Sequence, residues 1–185
     1  IIGAFFYETA PDVAKCMAYL YHFEALGRGF YPGVVEALEE LKRRNMRLGI
    51  VSNAQFYTPI DLSLFVRDQG GDRYDDYTEL FDDDLTFFSY EYGIAKPGLF
   101  LFRKLYDALY EYHILPKQTV FVGNDLAADI EPAAEVGMKT ALFCGDRRSA
   151  FLHGLQGRVV PDIAFSDYAE LPSVLSFHGE EREGA

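Results

Sequence analysis

The chain has few of the residues that build a disulfide framework or a zinc cluster. Its 185 residues include no tryptophan and only two cysteines, Cys16 and Cys144. Two cysteines so far apart in sequence are typical of a reducing compartment, so we expect a cytoplasmic protein. We expect both cysteines to be ordinary core residues.

Basic residues are also scarce, with 17 Lys and Arg against 29 Asp and Glu and a net charge of -12. A surface of this sign repels nucleic-acid phosphates and anionic lipid, so we expect neither nucleic acid nor a membrane as partner. No apolar run approaches the roughly 20 residues that span a bilayer. A phosphorylated ligand would need local positive charge from a lysine or a divalent cation. The composition sets no oligomeric state.

Apolar residues are plentiful, at 49% hydrophobic and 16% aromatic, which suits one compact domain with a sizeable core. We expect a helical lead-in over residues 1–30, with a helix over residues 10–26. An α/β core is predicted over residues 31–178, and residues 179–185 are predicted to be a disordered tail.

The core begins with a helix whose first turn contains Pro32 and which Asn45 ends. Residues 47–51 then form a short apolar strand that ends in Ser52 and Asn53. Ligands of parallel α/β sheets bind beyond the carboxyl ends of the strands, so both side chains are candidate ligand contacts, although a plain turn has the same composition.

The alternation of helices and strands continues to residue 175. Residues 55–82 are predicted to form a helix and an acidic, aromatic excursion over the sheet edge. Further strands are predicted over residues 85–88, 120–122, 139–143 and 159–165, and helices over 99–112, 132–136 and 168–175. The inward face of helix 99–112 is predicted to consist of Phe102, Leu105, Tyr106 and Leu109. This order is typical of a three-layer α/β fold, a parallel sheet with helices on both faces.

Two aspartates follow the buried strand 120–122. Gly123 ends the strand, and Asp125 and Asp129 are four residues apart. If the chain after Gly123 is helical, both carboxylates lie on one face and can point at one cation. The sequence therefore predicts a metal site at this strand end.

Three segments in order resemble motifs of the haloacid dehalogenase superfamily, most of whose members are Mg²⁺-dependent phosphohydrolases. They are Ile50-Val51-Ser52-Asn53, Ile94-Ala95-Lys96-Pro97, and the segment from Val122 to Ile130. Each alone would be weak, but all three lie in the family's order at strand ends or loops. The resemblance implies a Rossmann-like core over residues 31–178 and makes residues 1–30 either a remnant of a helical cap or a lead-in.

The resemblance also implies a role for each matched residue in hydrolysis of a small phosphorylated metabolite through an aspartyl-phosphate. Ser52 and Lys96 would be catalytic and would bind phosphate together with Asn53. Asp125 and Asp129 would hold Mg²⁺. The family's motif four has a glycine followed directly by an aspartate, whereas here Asn124 intervenes, so Asn124 is a further candidate for the metal.

The family's nucleophile lies in Asp-x-Asp-x-Thr after an apolar strand, ahead of all three matched segments. The one literal match, from Asp82 to Thr86, lies between the second and third motifs and follows no apolar strand. We interpret its three acidic residues as a solvated turn ahead of a strand.

Two alternatives for the nucleophile stay open. In one, residues 1–6 are the first strand, with aromatic residues in place of both aspartates, which would make the chain a pseudoenzyme. In the second, the nucleophile and part of a cap lie before Ile1. Strands 47–51 and 120–122 would then lack their shared neighbour, unless another segment fills the slot.

Three functions follow from these alternatives. A phosphohydrolase is favoured over carbon-halogen cleavage, which the name-giving branch performs without metal, because Asp125 and Asp129 would then have no cation to bind. The alternative from another class is an inactive binding or scaffolding protein that kept the fold.

Overall fold

The computed structural model describes residues 11–26, 29–145, 150–155 and 157–177. The chain divides into two compact units, residues 1–30 and 31–185. In the first, helix α1 (Pro11–Leu26) confirms the predicted helix. Cys16 on this helix and Cys144 in the second unit are both exposed, so the expectation that they are core residues is wrong.

The second unit alternates helices and strands. Its strands are β1 (Ile50–Ser52), β2 (Thr86–Phe88), β3 (Val120–Gly123), β4 (Lys139–Phe143) and β5 (Ile163–Phe165). Its α-helices are α2 (Val34–Arg43), α3 (Thr58–Gly70), α4 (Ser89–Tyr92), α5 (Phe100–Glu111), α6 (Glu131–Glu135) and α7 (Leu171–Phe177). These elements confirm the predicted α/β class. No helix in the described ranges is long and apolar enough to cross a membrane.

Every pairing between these strands is parallel. β1 pairs with β2, with Val51 opposite Phe87. β3, β4 and β5 form a second sheet in that order. Within the described residues no strand joins β1 to β3, which is the slot that the resemblance gives to the family's first strand. Residues 1–6 and the tail 179–185 lie outside the described residues, so the predictions about them stay predictions.

Among the described residues, two large apolar clusters and a smaller one of Leu126, Ile130 and Leu142 form the core of the second unit. One large cluster packs α5 between β2 and β3, with the rings of Phe102 and Phe121 5.0 Å apart. The other large cluster packs α2 and α7 on β4 and β5 around Phe143. The predicted inward face of α5 is right for Phe102, Leu105 and Leu109, which are buried, but wrong for Tyr106, which is 44% exposed.

The remaining differences from the sequence prediction lie at element boundaries. The excursion after α3 contains short 3₁₀ turns at Gly71–Arg73, Tyr77–Glu79 and Asp83–Leu85. The helix predicted over residues 132–136 begins earlier, as a π-helical turn at Leu126–Ile130 that continues into α6. The π-helical turn begins where the side chain of Asp125 accepts backbone hydrogen bonds, and this brings Asp129 back toward the end of β3.

Candidate active site

Lys96 lies at the centre of the site, on the loop between α4 and α5. Its Nζ donates hydrogen bonds to the carbonyl oxygen of Val51, at 2.9 Å, and to Oδ1 of Asp129, at 2.5 Å. Val51 belongs to β1, whereas Asp129 follows β3. The ammonium group therefore joins the two sheets at the carboxyl ends of their strands, where ligands of parallel sheets bind.

The ion pair of Lys96 and Asp129 is shielded from water. Only 10% of the Lys96 side chain and 8% of the Asp129 side chain are exposed. The ring of Phe121 lies 5.5 Å from Nζ, which adds a cation–π contact. A buried charge is costly unless it is paired, and this lysine is paired with a carboxylate, a carbonyl and an aromatic face.

Asp129 is held on its second oxygen by the chain that leaves β3. Its Oδ2 accepts from the backbone N–H groups of Asn124 and Asp125, each at 3.1 Å. This approach requires glycine at position 123, because a Cβ there would lie 2.4 Å from the Cβ of Asp129. The sequence Gly123-Asn124-Asp125 thus forms a backbone cradle for the Asp129 carboxylate.

Asp125 has a different environment. Its Oδ1 accepts from the backbone N–H groups of Ala127 and Ala128, at 2.9 and 2.8 Å, so the side chain caps the π-helical turn. Its Oδ2 lies 3.0 Å from Nε2 of His153. Burial by itself would raise the pKa of Asp125, but the hydrogen bonds from His153, Ala128 and Ala127 outweigh it and hold the pKa below its ordinary value.

Ser52 and Asn53 lie at the end of β1, beside Lys96 as the sequence predicts. Ser52 is half-buried and is paired in register with Phe88. The side-chain amide of Asn53 accepts from the backbone N–H of Lys96 at 2.7 Å and donates to its carbonyl at 3.0 Å. The structure therefore brings Ser52, Asn53, Lys96 and Asp129 together, and it gives Asn53 a partner that the sequence did not indicate.

Sequence reasoning missed two side chains next to this site. Ser89 is buried, and its hydroxyl lies 2.9 Å from the backbone nitrogen and 3.2 Å from the carbonyl oxygen of Ala54. Its position directly after β2, as Ser52 ends β1, was an available signal. His153 reaches Asp125 across 28 residues of sequence, and no local pattern indicates that contact.

The segment around His153 forms backbone hydrogen bonds with the residues that follow β3. Phe151 donates its N–H to the carbonyl of Asn124 at 2.8 Å and accepts from the N–H of Leu126 at 2.9 Å. These bonds form an isolated parallel bridge between Asp125 and Phe151. Asn124 and Asp125 are thus held from both sides.

A protein-only cage for a cation does not occur among the described residues, since no group of three His, Cys, Asp or Glu side chains in them could hold one. Magnesium does not require such a cage, because it is usually bound by one or two carboxylates, water and substrate phosphate. The oxygen-rich set of Asn124, Asp125 and Asp129 fits that mode.

The literal Asp-x-Asp-x-Thr match lies at the other end of the strands. Asp82 precedes β2, and its Oδ2 accepts from the backbone N–H of Leu48 at 3.0 Å, ahead of β1. Asp84 bonds the hydroxyl of Tyr112. Because Lys96 and Ser52 lie at the carboxyl ends of the strands, these acidic residues are at the wrong edge to serve as the nucleophile.

A protein-family model shows which family the chain belongs to. The family model described as haloacid dehalogenase-like hydrolase matches residues 6–137. The chain belongs to this family. The match includes every candidate site residue from Ser52 to Asp129.

Similar proteins include two curated glyceraldehyde 3-phosphate phosphatases. The one from Methanocaldococcus jannaschii is 31% identical over 114 residues, 60% of this chain and 42% of that protein. The one from Methanothermobacter thermautotrophicus is 26% identical over 149 residues, 78% of this chain and 58% of that protein. The chain thus spans about half the length of the curated relatives it matches.

Solved structures agree on the fold. A predicted phosphoglycolate phosphatase from Haemophilus somnus matches with a TM-score of 0.63 at 22% identity, over 91% of this chain and 69% of that one. The putative HAD-hydrolase YfnB from Bacillus subtilis, described as bound to magnesium, matches with a TM-score of 0.62 at 21% identity, over 91% of this chain and 66% of that one. At these identities the likeness supports the fold alone.

Proposed function

We propose that this chain forms the phosphate-binding and metal-binding side of a Mg²⁺-dependent phosphohydrolase that acts on a small phosphorylated metabolite through an aspartyl-phosphate. The observation that supports this most is the ion pair of Lys96 and Asp129, which lies at the carboxyl ends of the strands and connects the two sheets. It concentrates ionic groups where a parallel sheet binds its ligands.

The lysine matters because the chain as a whole repels anions. With a net charge of -12, a site for a phosphate monoester needs a local cation. Lys96 supplies one from a nearly dry position, where its attraction for phosphate is weakly screened. In the proposed site the Lys96 ammonium holds the phosphoryl group, and the hydroxyl of Ser52 donates to one of its oxygens.

The metal side of the proposed site is formed by Asp129 with Asn124 or Asp125. Both carboxylates are partly engaged, Asp125 with the π-helical turn and His153 and Asp129 with Lys96 and two backbone N–H groups, so Asp125 and Asp129 both stay candidates, with Asn124 as a further one. When bound, Mg²⁺ would neutralise charge on the phosphoryl oxygens.

The nucleophile is supplied from outside the described residues in this proposal. Among them, Asp129 is committed to Lys96 and to two backbone N–H groups, and Asp82 lies at the opposite edge. The interruption between β1 and β3, beside the Lys96 ammonium, is where a strand bearing the nucleophile would fit. The curated relatives, which are named glyceraldehyde 3-phosphate phosphatases, suggest a small phosphorylated aldehyde or sugar as the first substrate to test.

Calorimetric titration of the 185-residue chain with inorganic phosphate, with and without Mg²⁺, tests this proposal. We expect phosphate binding that Mg²⁺ strengthens and that Lys96→Met abolishes, without turnover of p-nitrophenyl phosphate, since the sequence ahead of Ser52 has no Asp-x-Asp-x-Thr motif. The matched control is Lys104→Met, which removes an exposed lysine from α5 and should leave binding unchanged. Equal affinity in wild type and Lys96→Met would overturn the proposal. Absence of both phosphate and Mg²⁺ binding would favour the inactive binding or scaffolding protein.

A further inference from the structure

We infer that Asn53 is a positioning residue that holds Lys96 by its backbone, and that Ser89, at the start of α4, holds the beginning of the segment that leads to Lys96. The sequence resemblance had placed Asn53 on the phosphate. The inference rests on the proposed function only in that it concerns the lysine assigned to phosphate binding.

The first observation is the double hydrogen bond between Asn53 and Lys96. The amide oxygen of Asn53 accepts from the N–H of Lys96, and its amide nitrogen donates to the carbonyl of the same residue. A side-chain amide is the group that offers a donor and an acceptor at once, and here both are used on one residue. The amide nitrogen keeps a second N–H, so the positioning role rests on the two bonds that Asn53 makes to Lys96.

The second observation is at Ser89, the first residue of α4, which leads into the loop. The buried Ser89 hydroxyl contacts both the backbone nitrogen and the carbonyl oxygen of Ala54. Asn53 and Ala54 are neighbours in sequence, so this dipeptide holds the segment from Ser89 to Lys96 at both of its ends. Each of these contacts connects a side chain on one segment with the backbone of the other.

The third observation is the exposure of the loop. The loop residues that flank Lys96, from Gly93 to Ala95 and at Pro97 and Gly98, are exposed, whereas Lys96 is not. A segment with so little buried surface opens readily unless hydrogen bonds hold it. Because the bonds from Asn53 fix the Lys96 backbone, they set the point from which its side chain reaches Val51 and Asp129.

The rate at which trinitrobenzenesulfonate labels Lys96 tests this role. Labelling of the full 185-residue chain is followed by peptide mass spectrometry, with the exposed Lys104 as internal reference. Lys96 must leave its partners to react, so losing the Asn53 bonds should raise its relative rate. We expect Asn53→Ala to raise it on the order of three- to tenfold and Ser89→Ala to raise it in the same direction.

Ser63→Ala is the matched control. It removes a hydroxyl that bonds the carbonyl of Pro59 and the carboxylate of Asp76, away from Lys96, and should leave the Lys96 rate unchanged. Asn53 is exposed, so its replacement leaves no cavity, and circular dichroism checks that each variant is folded. If Ser63→Ala also raised the labelling rate of Lys96, the increase in Asn53→Ala would reflect a general loosening of the structure. That result would overturn the inference.

Repeating the labelling in inorganic phosphate separates positioning from direct binding. If Asn53 bound phosphate and did not position Lys96, Asn53→Ala would leave the phosphate-free rate unchanged and weaken only the protection that phosphate gives, which would contradict the inference. If phosphate fails to protect Lys96 even in wild type, the proposed function fails, while acceleration by Asn53→Ala would still support the positioning role.

Discussion

The two ends of the parallel strands have similar residue types in different environments. At the carboxyl ends, Lys96 and Asp129 form an ion pair with side chains 10% and 8% exposed. At the amino ends, Arg47 and Asp82 are 3.6 Å apart with side chains 36% and 32% exposed. The literal match to the family's nucleophile motif is at the amino end, yet the buried pair is at the other. Its position at the amino edge agrees with the interpretation of this match as a turn ahead of a strand.

Burial determines how much each pair contributes. An exposed ion pair stabilises little because water and salt screen it and both side chains lose conformational entropy. Removing one partner of a buried pair lowers stability strongly, because the other partner is left as an unpaired charge buried away from water. Substitutions at the two edges should therefore differ in size, and the predictions that follow run from the largest effect to the smallest.

Lys96→Met should produce the largest loss of stability. It leaves the Asp129 carboxylate buried without its cation, so we expect the free energy of unfolding to fall by about 3 kcal/mol. Urea denaturation followed by circular dichroism measures this. Lys104→Met, the exposed control, should change it by less than about 0.5 kcal/mol. A loss as small as that control's would show that the Lys96 pair is no stronger than the pair at the amino edge.

Asp125→Ala should have an intermediate effect. It removes the cap of the π-helical turn and the contact with His153, for an expected loss of about 1 kcal/mol at pH 7. Because the folded state lowers the pKa of Asp125 from its ordinary 3.8, its contribution is complete above that value and disappears as the pH falls through the lower folded-state pKa.

Urea denaturation of wild type and Asp125→Ala at pH 7, 5 and 3 checks the pH dependence. The difference between the two proteins should be smaller at pH 3 than at pH 5. A difference that is larger at pH 3 than at pH 5 would contradict the assigned direction of the pKa shift.

Asp82→Asn should have the smallest effect. The amide keeps an acceptor for the N–H of Leu48 and loses only the exposed contact with Arg47, so stability should change by less than about 0.5 kcal/mol. Phosphate titration should give the wild-type affinity, because the residue lies at the amino edge. A loss of phosphate binding comparable to that of Lys96→Met would reverse the comparison and restore Asp82 as a candidate nucleophile.

Much of the fold could be predicted because its signals are local. Apolar runs bounded by polar residues and glycine gave the strands, and helical periodicity gave α2 and α5. The error at Tyr106 also comes from relying on local periodicity. Tyr106 lies beside the buried face of α5, and only the packing shows whether a residue at the edge of that face is buried or exposed. The boundary at Leu126 was missed because a π-helical turn has no separate periodicity in so short a segment.

The candidate site was predictable in its residue types and less so in their roles. Ser52, Asn53, Lys96 and Asp129 meet as expected because the carboxyl ends of parallel strands lie at one edge. Their individual partners were not predictable. The side-chain amide of Asn53 forms hydrogen bonds with the backbone of Lys96. The roles given to Ser52 and to the metal ligands stay proposals.

The sequence by itself determined the α/β class and the positions at strand ends where polar side chains occur, because each depends on neighbours a few residues away. Only the tertiary structure decided that Lys96 pairs with Asp129, 33 residues along the chain, and with the carbonyl of Val51, 45 residues back. It also decided that Asp125 caps a turn beside His153. A hydrogen bond has a reach of about 3 Å, and packing alone sets which distant groups come within it.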